Sequence, residues 1–95
     1  MFIVLLTFSD NKDQASQFME GHKAWVKRGF DDGVFLLVGS LQPERGGGIV
    51  AHNTSLADLQ SRVAEDPFVA EKVASPEIIE ITPARADARL EFLLN

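Results

Sequence analysis

The sequence predicts a small α+β domain whose elements follow the order β-α-β-β-α-β. Short apolar runs, typical of strands buried in a sheet, begin at Phe2, Val34 and Ile49, with a shorter run near Ile78. Between these runs, two segments show apolar residues at three- and four-residue spacing, as amphipathic helices do. At 95 residues the chain has the length of one domain, and we expect a single domain over residues 1–95.

The first strand and helix are predicted from the first 29 residues. Phe2–Phe8 is an apolar run that fits a central strand buried on both faces. The helix begins within the polar segment 11–16, and we expect Gly29 to end it in a left-handed conformation. One face of this helix carries residues at helical spacing, namely Phe18, His22, Trp25, Val26 and Gly29.

A hairpin is predicted next. The apolar run 34–41 forms the second strand, and 42–45 contains a proline that ends it. The glycine run 46–48 is placed in the connection, and 49–52 forms the third strand. Two strands joined by a short loop with proline and glycine are typical of an antiparallel hairpin.

The second helix follows Ser55, a favourable N-cap residue. It ends near Glu65, because Pro67 disfavours helical geometry at Asp66. A short helical turn over 67–73 follows, and Ser75-Pro76 interrupts the chain before the last strand. That strand contains Ile78, Ile79 and Ile81.

This order is that of the ferredoxin-like arrangement, an antiparallel sheet with both helices on one face. Strands as apolar as these cannot leave the other face in water, so we predict a homodimer that packs sheet to sheet. The tail, residues 84–95, carries Leu90 and Phe92 to Leu94. We expect this apolar tail to pack at the dimer interface.

Composition excludes several classes of function. Fourteen acidic against nine basic residues give a net charge of −5, and the sequence has no basic cluster for nucleic acid. Without cysteine there is no disulfide, thiolate nucleophile or cysteine-type zinc site. The apolar opening 2–6 is too short to span a membrane and lacks the marks of a signal peptide. We expect a cytoplasmic protein without membrane or nucleic-acid partners.

His22 and Asp66 are the candidate catalytic residues. A histidine on the apolar face of a helix must either find a partner inside the fold or serve a reaction, and Asp66 is its best acidic partner. A histidine paired with a carboxylate is a proton acceptor near neutral pH. Both residues also have structural explanations: a core histidine with one hydrogen bond, and an N-cap aspartate before Pro67. A cap carboxylate has a second oxygen that could accept from the imidazole.

Five further residues are candidate substrate contacts. Gly39 allows close backbone approach and Ser40 offers a hydroxyl, although a bulge explains both equally well. Arg45 could reach an anionic substrate or be a solvated loop residue. Trp25 and Phe68 flank the histidine and the aspartate in sequence, and a core position accounts for them as well.

Phosphate, metal and cofactor sites are not predicted. The glycine run 46–48 lies between strands and is not followed by Lys-Ser/Thr, so it does not match a phosphate-binding loop. His52 has no partner at metal-ligand spacing, and a surface role is expected for it. The prediction is therefore a cofactor-independent protein without a metal.

The segments His22–Val26, Asp32–Ser40 and Glu65–Phe68, in this order and spacing, resemble the YciI-like (YCII-related) family of small bacterial proteins. The resemblance covers nearly the whole chain to Pro83, with one departure at Ser40, where the family often has proline. It implies a dimeric α+β barrel and a pocket with a catalytic histidine and aspartate, which by position are His22 and Asp66. The fold is also similar to that of muconolactone isomerases, which implies proton abstraction beside a carbonyl.

Three hypotheses follow. The first is a small enzyme that uses His22 and Asp66 for isomerisation, elimination or hydrolysis of a small oxygenated, muconolactone-like compound. The second is a non-catalytic dimeric module that binds a small molecule, with a structural His–Asp pair. The third, a haem- or metal-dependent oxygenase on the related dimeric barrel, is disfavoured because the sequence offers no second well-placed ligand.

Overall fold

The computed structural model describes residues 1–94. The elements, in chain order, are β1 (Phe2–Phe8), a 3-10 turn (Lys12–Gln14), α1 (Ala15–Asp31), β2 (Phe35–Leu41), β3 (Gly46–Ala51), α2 (Leu56–Ala64), α3 (Pro67–Ala70), β4 (Ala74–Glu80) and a 3-10 segment (Ala88–Leu94). No helix within residues 1–94 combines the length and the hydropathy that a membrane span needs.

The four strands form one antiparallel sheet in the order β2-β3-β1-β4. Strand β1 lies inside the sheet, where Phe2 is opposite Ala51 of β3 on one side and Glu80 of β4 on the other. Each βαβ half therefore places its strands apart, with a strand of the other half between them. The predicted α+β fold with ferredoxin-like strand order is confirmed.

One face of the sheet carries the helices and the core. Phe2, Val4 and Leu6 of β1 point to this face and are buried, because alternate residues of a strand share a face. Trp25 of α1 and Leu59 of α2 cover them and are also buried. The helices thus bury every second residue of β1, and the remaining residues lie on the opposite face.

That opposite surface, which we call the open sheet face, is apolar and uncovered. Ile3 lies opposite Val50 of β3 and Ile79 of β4, and Leu37 of β2 lies opposite Val50. Leu37 is 58% exposed and Ile79 is 40% exposed, whereas Ile3 is half-buried. Strand β1 is predicted to be buried on both faces, but residues 1–94 cover only the face that packs on the helices. Burial of the open sheet face would require contact with another molecule.

Gly29 does not end the first helix as predicted. It is helical and buried, and a Cβ atom placed on it would lie 2.1 Å from the Phe35 ring. The helix continues to Asp31, and Gly33, with a φ of 74°, takes the left-handed conformation. Only glycine fits at position 29, because α1 packs closely against β2 there.

Three further boundaries differ from the prediction. The glycine run 46–48 is part of β3 and does not lie in the hairpin connection. Pro76 lies inside β4 and does not precede it, which is possible because β4 is an edge strand with a neighbour on one side only. The short helix begins at Pro67 as predicted but ends at Ala70.

The tail is less buried than its composition implies. Leu90, Phe92 and Leu94 are each between 44% and 47% exposed. The Phe92 ring meets the His52 ring edge-on, with 5.5 Å between the ring centroids. Packing of this tail at a dimer interface remains a prediction, and Asn95 lies outside the described residues.

Candidate functional site

His22 lies on α1 with its ring beside two aromatic side chains. Its ring is parallel to that of Phe68, with 4.1 Å between centroids and 3° between planes. The Trp25 ring stacks on it at 5.9 Å, and the imidazole is 17% exposed. The close parallel contact with Phe68 restricts rotation of the ring, so its two nitrogens have fixed directions.

Asp66 is the N-cap residue of α3. Pro67, at the first helical position, keeps Asp66 extended, with φ −63° and ψ 124°. The carboxylate, which is wholly buried, accepts the Phe68 backbone N–H at 3.0 Å through Oδ1. The same Oδ1 atom lies 2.8 Å from Nδ1 of His22. The local capping motif thus places a buried carboxylate beside the imidazole, which is 44 residues away in sequence.

The two hydrogen bonds share one oxygen, contrary to the expectation that the cap and the imidazole would use different oxygens. Oδ2 of Asp66 is buried and has no hydrogen-bond partner within residues 1–94. A serine or asparagine would cap the helix equally well without a buried charge. An unpaired buried acceptor costs roughly 1–3 kcal/mol, so capping alone does not explain the acid.

The hydrogen bond fixes the protonation pattern of the imidazole. A carboxylate only accepts, so Nδ1 donates to Oδ1 and carries the proton in the neutral ring. Nε2 then holds the lone pair. Within the described chain Nε2 has no hydrogen-bond partner, and it is not among the buried unpartnered atoms. His22 therefore presents an accessible base, with its other nitrogen held by Asp66.

This base lines a cavity of about 390 Å³ between α1 and the end of the sheet where β1 and β2 finish. That volume falls in the range of small-molecule sites, about 300–1,000 Å³. The lining residues are Leu6, Phe8, Met19, His22, Lys23, Val26, Val38, Gly39, Ser40, Gly46, Gly47, Gly48, Ile49, Phe68 and Ala74. Most of the wall is apolar, as in pockets that bind ring compounds.

Four of the predicted site residues line this cavity, namely His22, Gly39, Ser40 and Phe68. Asp66 lies behind His22 and contacts it directly. The structure does not bring Trp25 or Arg45 to the cavity wall. Trp25 is 1% exposed and donates its indole N–H to the Arg62 carbonyl at 2.9 Å, so it supports the site from the core. Arg45 is exposed in the hairpin connection, outside the lining.

Sequence reasoning missed Met19, Lys23 and Val26. Together with His22 they lie at i, i+3, i+4 and i+7, the spacing of a single helix face. The predicted stripe through Phe18 and Trp25 contains His22 and Val26, but its pattern indicates packing on the core and does not show that its edge lines a cavity. Lys23 was also missed because a lysine beside a buried stripe is usually a solvated residue.

Among residues 1–94 the structure contains no group of three or more His, Cys, Asp or Glu side chains that could hold a metal ion. The candidate site is thus built from the pair His22–Asp66, an apolar wall and the polar groups of Ser40 and Lys23.

Fold and site together define a small α+β protein with a histidine–carboxylate pair at the wall of a ligand-sized cavity. No family model and no curated protein sequence matches the chain. Among solved structures it is similar to TftG, a 5-chloro-2-hydroxyhydroquinone dehydrochlorinase from Burkholderia phenoliruptrix AC1100, in complex with 2,5-dihydroxybenzoquinone. The TM-score is 0.68 over 85% of this chain and 93% of that chain, at 12% identity. A likeness at this identity establishes a common fold.

Proposed function

We propose that the protein is a small cofactor-independent enzyme of the YciI-like family, with His22 as general base. The observation that carries this proposal is the 2.8 Å hydrogen bond between His22 Nδ1 and the buried Asp66 carboxylate, at the wall of the cavity. Similarity of fold to a small-molecule enzyme supports it. The order of the three family-like segments in the sequence supports the family assignment.

The proposed chemistry is proton transfer at Nε2. A substrate in the cavity would give Nε2 a proton from a position made acidic by a neighbouring carbonyl or hydroxyl group. Asp66 would stabilise the imidazolium that forms and keep the ring oriented. The imidazolium would then return the proton to another substrate atom or to a leaving group. Return of the proton to another carbon gives isomerisation, and departure of a leaving group from the carbon next to the deprotonated one gives elimination. For hydrolysis, Nε2 would instead take its proton from a water molecule that attacks a substrate carbonyl, and the leaving oxygen would receive that proton.

The proposed substrate is a small oxygenated ring compound. The cavity has the volume and the apolar wall for one ring, and the Ser40 hydroxyl offers a hydrogen bond to its polar end. TftG, with the same fold, has a hydroxylated quinone in its complex. Muconolactones and hydroxylated quinones share a ring with acidic positions beside carbonyl groups, so both classes belong in the first substrate panel.

The test is turnover of this panel by wild type and two matched variants. His22→Asn keeps an N–H donor near the Nδ1 position but removes Nε2, so we expect kcat/KM to fall about 10²- to 10⁴-fold with Tm nearly unchanged. His52→Gln, the control, alters the other histidine, which lies outside the cavity lining, and activity should persist. Full activity of His22→Asn on a true substrate would refute the general-base role.

A second candidate function is a dimeric binding or accessory module whose His–Asp pair is structural. It is favoured by the burial of Asp66, which caps α3 and fixes α1 at once. In that case His22→Asn should leave ligand binding intact, and no panel compound should be converted. His22→Ala would chiefly destabilise the protein, by roughly 1.5–3 kcal/mol for the lost charged hydrogen bond.

We also propose that two copies pack through the open sheet face. Leu37 and Ile79 are exposed there beside Ile3 and Val50, and a contiguous apolar surface on a sheet is commonly an interface. A two-fold axis would cover the same surface on both copies at once. The tail that ends in the 3-10 segment Ala88–Leu94 offers additional apolar surface for this contact.

A further inference from the structure

The lining of the cavity carries an ammonium group but no carboxylate, since Asp66 is buried behind His22 and bonded to it. Lys23 and His22 are the ionisable side chains in its lining, and none of the described lining residues is acidic. Lys23 therefore offers a cationic group in the lining, although the whole chain has a net charge of −5.

Lys23 is free to bind a ligand. Within residues 1–94, no carboxylate lies within 4 Å of its ammonium group. Lys27, one turn further along α1, is different, because it donates to Asp31 at 2.8 Å and that hydrogen bond raises the pKa of Lys27. The two lysines therefore form a matched pair on one helix, with Lys23 at the cavity and Lys27 outside its lining.

The side of the cavity formed by the sheet, which we call the floor, has no side chain at Gly47. Gly47 lies opposite Leu6 of β1 and Ser40 of β2, so it faces the helices. A Cβ atom on Gly47 would meet only the Gly39 carbonyl oxygen, at an ordinary 3.5 Å. A larger side chain would thus fit the backbone without strain but would project into the cavity. The stacked rings of His22 and Phe68 belong to the facing wall.

We propose that the cavity selects a flat ring that carries an anionic oxygen, such as a carboxylate, phenolate or enolate. Lys23 binds this oxygen, and Gly47 leaves the space in which the ring lies against the sheet. This inference deepens the proposed function by naming the substrate class of the same cavity. It gives Lys23 a recognition role that is separate from proton transfer at His22.

The experiment compares two rings of the same shape and different charge. Wild type, Lys23→Gln and Lys27→Gln are titrated at low salt with 2-naphthoate and with its uncharged amide, 2-naphthamide. Isothermal titration calorimetry gives the Kd, and the amide signals of Gly46–Gly48 in NMR locate the ligand. Wild type and Lys27→Gln should prefer naphthoate by about fivefold, the order expected for a solvent-accessible ion pair. Lys23→Gln should lose this preference.

Equal binding of the two compounds to wild type, or a preference that survives in Lys23→Gln, would overturn the role of Lys23. Absence of binding to wild type at millimolar concentration would overturn the whole inference. Gly47→Val tests the floor, and it should weaken both ligands at least about tenfold with an unchanged Tm. If Gly47→Val does not fold, Gly47→Ala replaces it with a smaller expected loss. Unchanged affinity in a folded Gly47 variant would also overturn the inference.

The inference about ligand binding and the proposed reaction can be refuted separately. His22→Asn removes the base but leaves Lys23 and Gly47, so the preference for naphthoate should remain in this variant. If the preference holds and no compound is turned over, the proposed reaction is wrong and the ligand class stands. If a substrate is turned over and the preference is absent, the inference about Lys23 is wrong and the proton-transfer role stands.

Discussion

Replacement of Asp66 by serine separates the two roles of this residue. A serine hydroxyl can still accept the Phe68 N–H and cap α3, as serine is about as good an N-cap as aspartate. It removes the carboxylate that now accepts from His22 at 2.8 Å. Asp66→Ser therefore keeps the local helix signal and removes the long-range partner of the imidazole.

The structure gives the expected size of the change in the His22 tautomer ratio and of the change in stability. A hydrogen bond to a charged group contributes about 1.5–3 kcal/mol, which is a factor of roughly 10 to 150 in the ratio of the two imidazole tautomers. Stability should change less, because the variant also removes the buried, unpaired Oδ2, which costs about 1–3 kcal/mol in the wild type. We expect the free energy of unfolding to change by no more than about 2 kcal/mol.

Nitrogen-15 NMR of the imidazole measures the tautomer directly. The spectrum is recorded at a pH high enough for the His22 ring to be neutral. In wild type, Nδ1 should give the signal of a protonated nitrogen and Nε2 that of an unprotonated one. In Asp66→Ser the proton should move largely to Nε2, while His52, the second histidine, should not change. A wild-type His22 protonated at Nε2, or a tautomer unaffected by Asp66→Ser, would refute the proposed positioning role.

Three other predictions concern packing and assembly. Gly29→Ala should lower the free energy of unfolding by about 1–3 kcal/mol in a denaturant titration, because its Cβ would overlap the Phe35 ring. Trp25→Phe should cost a similar amount, since it removes the donor to the Arg62 carbonyl and leaves a gap; a loss below about 0.5 kcal/mol, roughly half the contribution of one ordinary hydrogen bond, would contradict this. Wild type should sediment as the proposed dimer and Leu37→Asp as a monomer in analytical ultracentrifugation, whereas a monomeric wild type or a dimeric variant would contradict pairing through the open sheet face.

Local patterns were sufficient for most of the fold. The apolar runs that begin at Phe2 and Val34 predicted strands, and Ser55 predicted the start of α2, where its hydroxyl accepts from the Asp58 N–H at 3.1 Å. The dipeptide Asp66-Pro67 predicted the cap of α3. Each of these signals depends on residues close in sequence, so the sequence alone expresses it.

Predictions failed where a distant residue decides the outcome. Gly29 was predicted to end a helix, but its place is set by Phe35 of β2, which needs the space. Pro76 was predicted to precede a strand, but it belongs to β4 because that strand lies at the edge of the sheet. Neither neighbour can be identified before the strand order is known.

The features of the candidate site also divide into those that the sequence predicted and those that depend on the tertiary structure. The sequence by itself determined which residues could do the chemistry, because only two histidines are present and His22 has helical spacing to an apolar stripe. Tertiary structure decided that Asp66 reaches His22 through the same oxygen that caps α3, that Lys23 lines the cavity, and that Arg45 does not. Helical and strand periodicity fix the face on which a side chain lies, whereas distances between elements arise only when the sheet and helices pack together.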